Sequence, residues 1–207
     1  MEYNKIAVLG HSFVSHLKRK TFQKGNVETS IRLDLGLNHT EARYFGAPGL
    51  TTAGVRRFKR HVREFGPHVV VLLLGENDMH EQTAKGYSNS PTLFAKRLVS
   101  VASLITAWSG GSKVIIGQLM PRFWSHTNVY FQYYYNEWAE DVNFELVKMT
   151  KNVPGVCFWR HKFICEGDSL IFRQIPHLFD KGGVHLNVKG EVYLLRSLKH
   201  AVLHFRD

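Results

Sequence analysis

HVVVLLL, residues 68–74, is apolar on both faces and runs straight into Gly75-Glu76-Asn77-Asp78. A strand without polar alternation is buried on both sides, as a central strand of a helix-covered parallel sheet must be. Outward from it, short apolar runs alternate with longer amphipathic stretches, the pattern of βα units. Residues 5–10 (KIAVLG) read as a first buried strand and residues 12–20 as the start of a helix. A second strand is expected at 31–35, and 41–46 reads as another extended segment leading into a loop. Residues 51–65 read as a helix, with Val55, Phe58 and Val62 on one stripe and Arg56, Arg57, Lys59, Arg60 and Arg63 mostly off it. Ser90 and Pro91 suit the N-cap and first turn of a helix reaching about Trp108. Then come a strand at 113–119, a long helix at 129–151, a short strand at 156–159 and a closing helix at 188–205. The predicted fold class is α/β: three layers, α/β/α, around a doubly wound, mostly parallel five-stranded sheet, with residues 1–207 in one domain.

Composition narrows the classes. The apolar run 69–74 is far too short to span a membrane. The start MEYNKIAVLG lacks the basic and apolar stretches of a signal peptide, which predicts an intracellular, cytoplasmic protein. Cys157 and Cys165 make no disulfide framework. Lysine and arginine number 27 against 17 aspartates and glutamates, and this formal charge of +10 favours polyanions such as nucleic acid. There is no Gly-x-Gly-x-x-Gly or Walker loop, no Cys-x-x-Cys and no Gly-x-Ser-x-Gly elbow, so neither a cofactor nor a metal is expected. The aromatic run Tyr130, Phe131, Tyr133, Tyr134 and Tyr135 fits a helix core and rim, or the lining of an acyl or sugar pocket.

In a doubly wound sheet the working residues follow the strands. Here those segments are Gly10-His11-Ser12, residues 46–52 (GAPGLTT), Gly75-Glu76-Asn77-Asp78 and, near the C-terminus, residues 180–187 (DKGGVHLN). The chemistry that fits is acyl transfer. A serine hydroxyl needs a base to take its proton, and His185 can be that base for Ser12. The tetrahedral intermediate needs donors, and the candidates are the Ser12 and Gly49 backbone N–H groups and the Asn77 amide.

The four segments IAVLGHSF, GAPGLTTAGV, VVVLLLGEND and GGVHLNVKG resemble, in order and approximate spacing, the blocks of the SGNH (GDSL-like) hydrolases. The resemblance spans nearly the whole chain and implies a flavodoxin-like α/β/α fold. It also implies an esterase or lipase-like activity on a small-molecule or lipid ester, with Ser12, Gly49, Asn77 and His185 in the four named roles. The GHSF wording looks most like SGNH domains carried by some animal retrotransposons. Two departures stand out. His11 replaces the aspartate of the family's Gly-Asp-Ser block. Gly182 occupies the position three before the histidine where the family carries its acid, and the nearest carboxylate is Asp180. Either Asp180 reaches His185 over the Gly182-Gly183 pair, or a backbone carbonyl holds the ring. A second reading stays beside the esterase: a catalytically weakened module of this fold that binds nucleic acid non-specifically through its basic surface, or binds a protein partner.

Overall fold

Five short runs become five parallel strands. In the computed structural model, which describes residues 4–21, 35–84, 90–123 and 129–205, these are β1 (Asn4–Gly10), β2 (Thr40–Gly46), β3 (Val69–Leu73), β4 (Lys113–Gly117) and β5 (Val156–Trp159). They form one sheet in the order β2-β1-β3-β4-β5. All five residues of β3 are buried, as the unbroken apolar run requires of a central strand. β1 lies between β2 and β3, with Gly10 level with Gly46 on one side and Leu73 on the other.

Helices cover both faces of the sheet. α1 (Ser12–Thr21) follows β1, and a 3-10 segment (Ala53–Phe58) leads into α2 (Lys59–Phe65) before β3. α3 (Glu76–Ala84) and α4 (Pro91–Trp108) lie between β3 and β4, α5 (Val129–Thr150) between β4 and β5, and α6 (Val188–Phe205) closes the described chain. The chain steps outward from β1 to β2, then crosses back over β1 to β3 and continues to β5. With right-handed crossovers this reversal puts α1 on one face and α2, α4 and α5 on the other. Accordingly α4 packs against α2 and α5. The reversal falls between β1 and β3, so the residues after these two strands meet across one crevice.

The structure corrects four local expectations. The second strand is Thr40–Gly46; of the expected strand at 31–35, residues 31–34 lie outside the described residues and Leu35 sits in a turn at φ 57°. As an edge strand β2 buries only Tyr44, so it lacks the apolar run by which β1 and β3 announce themselves. The expected helix 51–65 is a 3-10 segment followed by a short α-helix, and β4 stops at Gly117. Residues 76–84, to which the sequence reading assigns no element, form a helix, α3. Ser90 stands at the N-cap of α4 but makes no side-chain capping bond. No described helix is long and apolar enough to cross a membrane. The basic side chains between Arg56 and Arg63 are exposed, with Arg60 paired to Glu64.

Candidate active site

Ser12 is the first residue of α1, one position past the strand-to-helix corner. The corner is pinned from both sides: His11 N–H donates to the Leu73 carbonyl (3.3 Å), and Ala47 N–H donates to the Gly10 carbonyl (3.1 Å). A first-turn N–H has no partner within its own helix. Neither the Ser12 N–H nor the Gly49 N–H donates a hydrogen bond among the described residues, and Gly49 is exposed at φ +70°.

His185 arrives from 173 residues away. Its loop is closed by an antiparallel bridge between Phe179 and Leu186 and by a bond from Asp180 N–H to the His185 carbonyl (2.8 Å). Asn187 then caps α6: its side-chain oxygen accepts the Gly190 N–H (3.1 Å), while its amide donates to the His177 and Phe179 carbonyls. Phe123 N–H, beyond β4, donates to the Gly183 carbonyl (2.8 Å) and ties the loop to the sheet edge. The outcome is His185 Nε2 at 3.0 Å from Ser12 Oγ. The rings of Phe13 and His16 flank the imidazole, at centroid distances of 6.3 and 4.7 Å.

Asp180 approaches the histidine from the loop side. Its Oδ2 stands 3.7 Å from His185 Nδ1, ion-pair range but longer than a direct hydrogen bond, and its Oδ1 accepts the His185 backbone N–H at 3.4 Å. The turn that brings it there is closed by Gly183 N–H donating to the Asp180 carbonyl (2.9 Å), with Gly183 at φ +64°, where a Cβ would be strained. A Cβ added at Gly182 would lie 3.4 Å from Asp180 Oδ1. The Asp180 carboxylate therefore stands beside residue 182, three positions before the histidine.

The start of α3 binds the crevice together with three consecutive side chains. Asn77 Nδ2 donates to the Leu50 carbonyl (3.0 Å), next to Gly49. Asp78 accepts the Thr52 N–H at both oxygens and the Thr52 hydroxyl at 2.6 Å; burial nonetheless pushes its carboxyl above its ordinary range, against the pull of the Thr52 bonds. Glu76 accepts from His11 Nε2 at Oε2 (2.7 Å) and from the Met120 N–H at Oε1 (3.1 Å). Burial alone would push the Glu76 carboxyl up, but the charge and hydrogen bond of His11 and the Met120 N–H outweigh it and hold the carboxyl below the usual range.

Solved structures share this architecture over nearly their whole length. A GDSL-like lipase from Bacteroides thetaiotaomicron matches with a TM-score of 0.64 and 17% identity, over 97% of this chain and 88% of that one. A carbohydrate esterase of family 3 from Talaromyces cellulolyticus matches with a TM-score of 0.62 and 15% identity, over 100% of this chain and 98% of that one. The chain has the GDSL-like (SGNH) hydrolase fold. An acetyl esterase variant solved with acetate ion shares it too, with a TM-score of 0.64 and 14% identity, over 100% of this chain and 98% of that one. No family model matches the chain, and no curated protein matches it in sequence.

Within the SGNH fold, three side chains of the crevice escape a reading of motifs: His11, Glu76 and Asp78. The signal for the last two was present in Gly75-Glu76-Asn77-Asp78, two carboxylates placed directly after a buried strand. His200 and His204, one turn apart on α6, are a His-x-x-x-His spacing that the motif reading also passes over. Among the described residues no group of three His, Cys, Asp or Glu side chains could hold a metal ion. Of the aromatic run, Tyr135 is buried in the core while Tyr133 and Tyr134 are exposed, which is the core-and-rim alternative.

Proposed function

We propose that the chain is a serine ester hydrolase acting on an acyl or acetyl ester of a small molecule or lipid. One observation carries the reading: Ser12 Oγ lies 3.0 Å from His185 Nε2 at the carboxyl edge of the sheet. In this reading Ser12 attacks the ester carbonyl while His185 Nε2 takes the hydroxyl proton, then returns it to the departing alcohol. Water repeats the sequence on the acyl-enzyme. Developing charge on the carbonyl oxygen is met by the Ser12 N–H at the positive end of α1, the Gly49 N–H and the Asn77 amide. A chromogenic short-chain ester assay tests the reading: turnover that tracks Ser12 supports it, and none at all overturns it.

The Asn77 amide has two N–H groups, and Leu50 takes one. Its other N–H is the proposed oxyanion donor. Asn77→Ala is expected to lower kcat by roughly a hundredfold or more with a much smaller change in KM. A change confined to KM would make Asn77 a binding residue.

Asp180 is the proposed carboxylate partner of His185. Its side chain is 44% exposed and 3.7 Å away, so its orienting effect is screened. Asp180→Asn is therefore expected to cost about tenfold to a hundredfold in kcat, less than removal of a buried triad acid, with an unchanged melting temperature. A silent substitution would move the role to a backbone carbonyl.

A further inference from the structure

The esterase reading uses one of two imidazoles that touch the Ser12 hydroxyl. The other belongs to His11, whose Nδ1 lies 3.3 Å from Ser12 Oγ. His11 is 1% exposed and Glu76 is 2% exposed. The pair therefore forms a second carboxylate–imidazole–hydroxyl chain, Glu76–His11–Ser12, meeting the chain Asp180–His185–Ser12 at the same oxygen.

The protons of this arrangement can be counted. Glu76 Oε1 already accepts a fixed backbone donor, the Met120 N–H, and Oε2 sits 2.7 Å from His11 Nε2. The carboxyl stands at the first residue of α3, where the helix end favours negative charge. An ionised Glu76 requires a proton on His11 Nε2. In the hydrolase reading His185 Nε2 is the acceptor and the His185 proton sits on Nδ1, on the side of Asp180. The single Ser12 hydroxyl proton then points to His185. A bare His11 Nδ1 would face the Ser12 oxygen lone pair to lone pair, and the His11 ring, 1% exposed, has no water to turn to instead. A protonated Nδ1 gives every group its partner.

We propose that His11, held by Glu76, is a second catalytic residue of this site: a doubly protonated imidazole that donates its Nδ1–H to the Ser12 oxygen. The proposal rests on the hydrolase reading. His11 keeps both protons throughout. Buried beneath the serine, it cannot reach a leaving group, so the hydroxyl proton still travels through His185. What His11 supplies is a fixed donor to Oγ. It offsets the charge that gathers there as the hydroxyl loses its proton, and again when Oγ leaves the acyl group. It also locks the serine rotamer toward His185. The substitution of His11 for the family's aspartate thus adds a charged donor directly to the nucleophile.

The test has two arms on the full chain. The first is 15N imidazole NMR at neutral pH, with the His11 signals assigned by their loss in His11→Gln. Protons on both His11 nitrogens are expected, and a bare Nδ1 overturns the proposal. The second is the rate of Ser12 labelling by a fluorophosphonate. His11→Gln keeps an amide near Nε2 for Glu76 but loses the Ser12 contact, and should react roughly tenfold to a hundredfold slower. His11→Asn places an amide nitrogen near Nδ1 and should recover part of that loss. A folded His11→Gln that reacts within about twofold of the unsubstituted protein overturns the proposal. Should that variant not fold, the NMR arm decides alone, with the His11 assignment taken from His11→Asn. The two readings fail differently: an unsubstituted protein inert to the fluorophosphonate sinks the hydrolase, whereas a reactive one with a bare His11 Nδ1 sinks only this inference.

Discussion

Ser12→Ala is expected to reduce turnover of a short-chain p-nitrophenyl ester by on the order of 10⁴-fold or more, the scale on which loss of a serine nucleophile acts. The expectation follows from the convergence on one oxygen. His185 Nε2 and His11 Nδ1 both lie within 3.3 Å of Ser12 Oγ, so alanine removes the atom both imidazoles serve. Folding should survive, because Ser12 lies at the start of α1 and fills no core position. A fluorophosphonate should label the unsubstituted protein at Ser12 alone, as read by peptide mass spectrometry, and leave Ser12→Ala unmodified. Full activity in Ser12→Ala, or labelling at another serine, would remove Ser12 from the mechanism.

The second large effect is on stability. A Cβ at Gly10 would lie 2.1 Å from the Leu73 carbonyl oxygen and 2.9 Å from Val14 Cγ2. The first neighbour is backbone at the end of the central strand, so relief requires β1 and β3 to part. Gly10→Ala should cost about 3 kcal/mol or more. For a chain of this length that lowers the melting temperature by roughly 6–12 °C. Activity should fall further than the folded fraction, since His11 N–H bonds the same Leu73 carbonyl and Ser12 follows directly. Thermal melting together with ester turnover well below the transition checks both parts. A melting temperature within about 2 °C of the unsubstituted protein would mean the strands yield at little cost.

The layout of the site was readable because the fold places it at strand ends. β1 and β3 are buried on both faces, so their apolar runs mark them, and Ser12 and Asn77 follow at once. β2 reads from the sequence as an extended segment at 41–46 but not as the second strand of the sheet, because an edge strand carries Thr40, Glu41 and Arg43 without an apolar run. The loop that carries Gly49 is recognisable from its glycine- and proline-containing composition. His185 was legible through its glycine-rich setting, but the approach of Asp180 depends on a turn that the sequence merely permits. The bond between His11 and Glu76 joins residues 65 apart, and nothing local in either segment hints at it. It exists because the strand order sets β1 beside β3. The letters Gly167-Asp168-Ser169-Leu170 show the converse. They spell the family's tetrapeptide, yet Asp168 pairs with Arg160 at the surface and the Ser169 hydroxyl donates to the Glu166 carbonyl. Without a strand before it and a helix after it, the motif is a turn.

The three consecutive side chains at the start of α3 have a dynamic consequence. Glu76 holds the serine corner and the exit of β4, Asn77 holds Leu50, and Asp78 holds Thr52. Loops that would ordinarily breathe one at a time share a single first helical turn as their anchor. Fraying of that turn would release the serine corner, residues 50–52 and the β4 exit together, so their openings are coupled through it. Amide protons of the serine corner, the Gly49 loop and the β4 exit belong, on this view, to one exchange-competent subdomain with a common opening free energy. On this view the alignment of the crevice rests on one helical turn as much as on any loop.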